Sequence, residues 1–303
     1  MHYPYENFLI AALVLSFFTY AQPAPVTYTV DNKNITLPGE KYKSGYGYNL
    51  KADTVLRLVT LNWPPYIDDH LCNKGWLYQL TVSMLVKRGY GVHIEFYPWA
   101  RAVREAELGK ADILFPEYFI SDDVMSENIL TKTRNQLLAL SEPIPGGDLS
   151  FVALKDHSIN YDGSIESVKN RVMGVVRSYK NSKELDELIE QGEIKTIVAN
   201  SEYQLIHLLL NGRVELIVAD LEVLKASIYK SLLSAREKKR MLSALVALTP
   251  SIEYKALYYE ISKSTPNWQF ILDDINAEIA NMRANNEFER FIKNKKQQCY
   301  NLD

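Results

Sequence analysis

Cysteine and histidine are scarce in this chain, two and five among 303 residues. Cys72 and Cys299 stand far apart, which excludes a CxxC…CxxC zinc module and a dense disulfide scaffold. Beyond the first segment the histidines are His70, His93, His157 and His207; they show no metal-ligand spacing, and no metal site is expected. There is no G-x-S-x-G elbow. Gly45-Tyr46-Gly47 lacks the third glycine and the strand–helix frame of a nucleotide fingerprint, so no cofactor is expected. An excess of basic residues is missing as well. Lys and Arg number 34 against 37 Asp and Glu, a formal charge of −3, whereas a nucleic-acid binder would normally be basic. Lys238-Lys239-Arg240 reads as a solvated helix face, and the Lys293, Lys295, Lys296 tail is too short to change that conclusion. No apolar run reaches the roughly 20 residues of a spanning helix.

What is present is a composition near the globular average, 47% hydrophobic and 23% charged, with a length that suggests about two domains. Tyrosine is abundant, at 20 residues, as in clefts that use an aromatic face with a polar tip. The charge-free run Phe8–Ala21 fits a signal-peptide core, with Thr19-Tyr20-Ala21 before Gln22 as the cleavage step, although the segment before it has no Lys or Arg. Residues 1–21 are therefore expected to be a signal peptide and the product to be soluble in the periplasm. Residues 22–52 read as an N-terminal extension rich in Pro, Gly and Tyr, with short strands at Tyr28–Val30 and Asn34–Leu37.

From residue 54 strands and helices alternate. Val55–Leu61 reads as a buried strand broken by Pro64-Pro65. Trp76–Arg88 has apolar residues on one face and stops at Gly89. Val92–Phe96 alternates as a strand, Pro98 opens a helix over Trp99–Leu108, and Ala111–Phe115 is a third strand. This order implies a largely parallel sheet with crossover helices. A phrase then returns. Gly109-Lys110-Ala111-Asp112-Ile113-Leu114-Phe115 is matched in order by Gly212-Arg213-Val214-Glu215-Leu216-Ile217-Val218, 103 residues further on. Each copy follows a helix, the second opening at Ser201 with Gln204 in a capping-box pattern. Two lobes on one plan follow, with a ligand cleft at the carboxyl ends of their strands. Those ends carry Trp63 and Tyr66, then Glu117 and Tyr118, then Arg177, Ser178 and Tyr179, and finally Asp220.

These residues, in this order, resemble the type II periplasmic solute-binding proteins, in particular the extracellular family 3 or polar amino-acid branch. The similarity runs from about Val55 to Lys293. It is carried by Pro64-Pro65-Tyr66, Phe96–Ala102, Gly109–Asp112, Thr131–Arg134 leading to Leu140-Ser141-Glu142-Pro143, Gly212–Asp220 and Ile261-Ser262-Lys263. The resemblance implies an α/β, two-lobed type II periplasmic-binding-protein fold with a mostly parallel sheet in each lobe and two hinge crossings. Lobe one would comprise residues 53–148 and 256–303, and lobe two residues 149–255. It implies capture of a small polar solute, an amino acid or related zwitterion, by hinge closure and without catalysis. The partner would be an ABC-transporter permease or a membrane sensor, and the protein a monomer.

By position the resemblance assigns Arg134 to the ligand carboxylate and Asp220 to its ammonium, with Trp63 or Tyr66 covering the ligand. A guanidinium fork suits a carboxylate. Asp220 also stands where aspartate caps a helix beginning near Leu221. Ser178-Tyr179-Lys180 departs from the family's small-hydroxyl pattern, and the long stretch from Phe115 to Arg134 leaves room for Glu117 or Tyr118 in the pocket. A rival reading is a cyclohexadienyl or prephenate dehydratase-like enzyme on the same fold, with Glu117 as the only candidate acid. Cys72 and Cys299, in an oxidising compartment, are expected to form one disulfide.

Overall fold

A computed structural model describes residues 25–30, 33–289 and 292–293. The expected signal peptide and Cys299 lie outside the described residues. The extension begins with a hairpin, β1 (Val26–Val30) antiparallel to β2 (Lys33–Leu37). It continues through β3 (Glu40–Tyr42) and β4 (Gly45–Tyr48). The αβ alternation then runs β5 (Val55–Thr60), α1 (Trp76–Lys87), β6 (Gly91–Phe96), α2 (Trp99–Glu107) and β7 (Ile113–Glu117). After a long loop come α3 (Arg134–Leu137), β8 (Leu138–Leu140) and the long strand β9 (Ile144–Leu154). The next group is β10 (Met173–Val176), α4 (Lys183–Glu190), β11 (Thr196–Ala199), α5 (Glu202–Leu210) and β12 (Leu216–Asp220). Last come α6 (Leu221–Lys230), α7 (Ala235–Ala244), β13 (Leu245–Ala247), the long strand β14 (Glu253–Ser262) and α8 (Trp268–Ala284).

The strand order shows two lobes on one plan. In the first, β6, β5, β7 and β14 lie side by side; in the second, β11, β10, β12 and β9 do. In each, three strands run parallel and the fourth runs against them. Each lobe's sheet is thus mostly parallel, as expected, and is made mixed by the strand that crosses between the lobes. The long strands return in the opposite sense, and β4 adds to β6 antiparallel. The repeated phrase occupies equivalent places. Gly109 follows α2 and Gly212 follows α5, at φ 67° and 63° respectively, a left-handed stop that glycine adopts without a Cβ penalty. The strands they lead into, β7 and β12, end on Glu117 and Asp220.

The extension does more than precede the fold. The face of α1 was expected to be one-sided, yet every residue from Trp76 to Leu85 is buried. The reason is that β1 packs on its outer side and the Tyr78 hydroxyl donates to Tyr48 of β4 at 3.1 Å. Helix α8 buries Ile271, Ile275, Ile279 and Met282 against the first lobe. Arg88 fastens it through Asp274 at 3.2 Å and Glu278 at 3.0 Å. No helix among the described residues is long and apolar enough to cross a membrane.

Two strands, β9 and β14, pass between the lobes, paired to each other at Lys255↔Gly147 and Leu257↔Ile144 with a bulge between. Beyond the crossing β9 pairs with β12 in the second lobe, and β14 with β7 in the first. Gly147 sits where nothing larger fits. A Cβ there would stand 2.2 Å from Oδ2 of Asp220 and 2.5 Å from the Tyr66 hydroxyl, one group from each lobe. Gly147→Ala is therefore expected to force these two apart, at a cost of about 1–3 kcal/mol. Small-angle scattering should show a larger radius of gyration than wild type, and an unchanged radius would mean that the lobes do not depend on this contact.

Candidate functional site

The turn after β5 is closed by two backbone bonds, Trp63 N–H to Ile67 O at 2.6 Å and Ile67 N–H to Trp63 O at 3.0 Å. It spans the Pro64-Pro65 cis peptide, and it stacks Trp63 on Tyr66 at 4.5 Å between ring centres. Tyr118 meets Trp63 edge-on at 5.8 Å, and Trp99 meets Tyr179 of the other lobe at 6.4 Å. The expected aromatics thus converge on the cleft between the lobes. The stack encloses a central void of about 20 Å³, lined in part by Trp63, Trp99, Glu117 and Tyr179, which is room for about one water. Beside it lies a groove of about 570 Å³ between the Asn62 and Phe96–Ala100 side and the Arg177, Asn200 and Glu202 side.

The structure brings Asp220 into this cleft and gives it both roles considered for it. One oxygen accepts from the Glu222 backbone N–H at 2.8 Å and caps α6; the other accepts from the Tyr66 hydroxyl across the cleft at 2.8 Å. Burial pushes its carboxyl up from the ordinary range. It also raises the Tyr66 hydroxyl, with the Asp220 charge adding to the effect.

Arg134 is engaged by side chains of the first lobe. It is 3% exposed, and its Nη2 contacts both Glu117 and Glu260, the latter at 2.8 Å, while Nε also donates to Glu260 at 3.2 Å. The N-terminus of α3 holds it there, with Thr133 and Gln136 forming a reciprocal capping box. Burial alone would lower its pKa, but the Glu117 and Glu260 charges outweigh that and raise it. Glu117 gives its other oxygen to the Tyr118 backbone N–H at 2.7 Å. It is therefore not a free acid in the pocket. Burial raises Glu117 against the pull of Arg134, and it pushes Glu260 up to about 7.

Ser178 and Tyr179 divide. Ser178, at φ 60°, turns its hydroxyl to Glu127 at 3.0 Å on the rim. Tyr179 points inward and donates to Glu202 at 2.8 Å. Glu202 was missed in the sequence. It is the first residue of α5 and is 5% exposed. Burial raises its pKa, and the donors do not offset it. Its signal was the Ser201 cap, which fixes the start of α5 and turns the next side chain toward the cleft. Glu260 was missed too, although an acid inside Tyr258-Tyr259-Glu260-Ile261 is the mark of a buried carboxylate with a partner. Lys255 is a third, held by Asn181 O at 2.7 Å and Glu253 at 2.9 Å beneath the Tyr118 ring. No free cysteine and no cluster suited to a metal are present among the described residues.

No family model and no curated protein matches the chain. Solved structures do match it. A histidine kinase sensor domain with similarity to periplasmic binding proteins is 17% identical, covering 80% of this chain and 96% of its own, at a TM-score of 0.62. An ancestral arginine-binding protein bound to arginine is 17% identical, covering 80% and 99%, at 0.60. The ancestral amino acid-binding protein AncCDT-1, a precursor of cyclohexadienyl dehydratase, is 14% identical, covering 80% and 94%, at 0.58. The chain therefore has the two-lobed type II periplasmic-binding-protein fold.

Two predictions follow from the buried triad. Arg134→Ala leaves two buried carboxylates without their cation and should cost about 3–5 kcal/mol in chemical denaturation; a loss under about 1 kcal/mol would mean the pair is solvated. Second, Glu260 has a carboxyl raised from 4.5 to about 7, so between those values the folded chain keeps a proton that the unfolded chain releases. Stability should fall as pH rises through that window, by on the order of a few kcal/mol. Glu260→Gln should flatten the dependence, as read from denaturant midpoints at pH 5 and pH 8.

Proposed function

We propose that this chain captures a small polar solute in the interlobe cleft and closes on it by rotation about β9 and β14. The observation that carries the reading is that an inward carboxylate of the second lobe, Asp220, is met across the cleft by the Tyr66 hydroxyl of the first. Contacts that exist only when the lobes meet give the differential affinity that a closing motion needs. The solute is an amino acid or related zwitterion. The site lies at the strand ends where open α/β sheets bind ligands.

Residues 1–21 direct export to the periplasm and are removed. The filled cleft is read by an ABC-transporter permease or by a membrane sensor, the second being the setting of the histidine kinase sensor domain that the fold resembles. The protein works as a monomer, and Cys72 pairs with Cys299 in the oxidising compartment. It does not turn its ligand over. The dehydratase reading needs an acid free to protonate a leaving group, and Glu117 is engaged by Arg134 and by the Tyr118 amide.

The test is native mass spectrometry of the protein purified from its own periplasm, followed by scattering with and without the solute identified. One small molecule per chain and a smaller radius of gyration when bound are expected. Release of a chemically altered solute would instead favour the enzyme, and an unchanged radius at saturation would remove the closing motion. Titration of the denatured, unreduced protein should find no free thiol.

A further inference from the structure

We infer that Tyr179 stands in the seat a solute needs, as an occupant that the chain supplies itself, and that a solute binds by turning its ring out. This rests on the cleft being the solute site. The void among the strand-end aromatics holds about 20 Å³, whereas ligand pockets begin at roughly 300 Å³. Side chains fill the remainder, and one of them makes the contacts a bound solute would make. Tyr179 belongs to the second lobe, yet its ring packs on the apolar cores of both. It meets Trp99 of the first lobe edge-on at 6.4 Å and donates its hydroxyl to Glu202 of the second at 2.8 Å. One side chain thus supplies a contact to each lobe, which is what favours a closed cleft over an open one.

The same ring is the movable part of the wall between the void and the groove of about 570 Å³. Leu61, Trp99 and Tyr179 line both. Leu61 and Trp99 are each 7% exposed in the core of the first lobe, and Trp99 is fixed as the first residue of α2. Tyr179 is half-buried and lies outside any helix or strand, in the loop after β10. Its N–H closes a turn to Val176 O at 3.2 Å, and Ser178 before it is held at φ 60°, a left-handed conformation that a residue with a Cβ adopts at a cost. Strain of this kind is retained where a loop clamps or switches. The groove gives the ring somewhere to go, and a ring turned outward would join void and groove into one cavity.

An occupant lowers apparent affinity by the fraction of time the seat is free, so removing it should tighten binding by about tenfold or more. The standard amino acids, screened by thermal shift and then titrated calorimetrically into wild type and Tyr179→Ala, test this. Binders should favour the variant by that factor. Equal or weaker binding by Tyr179→Ala overturns the inference, because the ring is then a wall that grips the solute. A second variant tests the seat without any amino acid. p-Cresol is the tyrosine side chain as a free molecule. It should bind Tyr179→Gly at one per chain and raise its melting temperature, leaving that of wild type unmoved. Should Tyr179→Gly not fold, phenol with Tyr179→Ala serves the same purpose. No binding of the phenol by a variant whose circular dichroism matches wild type overturns the inference, since the ring was then ordinary packing. The two levels separate. p-Cresol bound while no amino acid binds wild type or variant upholds the built-in occupant and sinks the amino-acid reading. Amino acids that bind wild type and Tyr179→Ala alike uphold that reading and sink the occupant.

Discussion

One guanidinium serves two buried carboxylates, and much of the first lobe is arranged around that fact. Arg134 opens α3, Glu117 ends β7 and Glu260 lies in β14, so the contact joins three elements that are distant in sequence. Three charged groups this deep are costly to desolvate, and their attraction repays the cost only when geometry is good and remaining lone pairs are served. Glu117 meets that condition through the Tyr118 amide. Glu260 does not, since its second oxygen has no hydrogen-bond partner. With one cation between two acids, the surplus negative charge is relieved by protonation, which is why the carboxyl pKa values move upward.

That arrangement decides what the cleft can offer a ligand. In the reading from resemblance, Arg134 and Asp220 face a zwitterion with one charge from each lobe. In the structure the first lobe keeps its charge for itself and presents aromatic rings, a hydroxyl and an indole instead. The second lobe keeps two acids turned inward. Across the gap the two sides are joined by a neutral donor on a buried acceptor, the Tyr66 hydroxyl on Asp220.

Much of the fold was legible because it rests on short-range chemistry. Glycine after a helix, apolar alternation in a strand and a repeated phrase at equal context are all local, and they recovered β5, α1, β6, α2, β7, α5 and β12 with small differences at their ends. The aromatics of the site were legible for the same reason: Trp63, Tyr66 and Tyr179 stand at strand ends, where the topology aims them. The partners of charged groups were not, because pairing is set by packing. Nothing near Arg134 in sequence announces that Glu260, 126 residues away, reaches its guanidinium. The extension was legible only in its first hairpin: Tyr46 and Tyr48 are buried core residues and β4 widens the sheet, a packing role that no local pattern announces.

The interlobe contacts also fix how firmly the two lobes are held together. Several lie on the surface, such as Lys183 with Asp123 at 3.1 Å, with both side chains 65% exposed. Pairs of that kind contribute about 0–1 kcal/mol each. Lys230 with Asp68, at 2.5 Å and with the acid wholly buried, is the stronger exception. The inner contacts hold the lobes through hydrogen bonds to carboxylates whose ionisation burial opposes, so part of each bond is offset by desolvation. A closed state built this way is near balance. Shifting such a balance from mostly open to mostly closed takes only a few kcal/mol of differential affinity for the closed form.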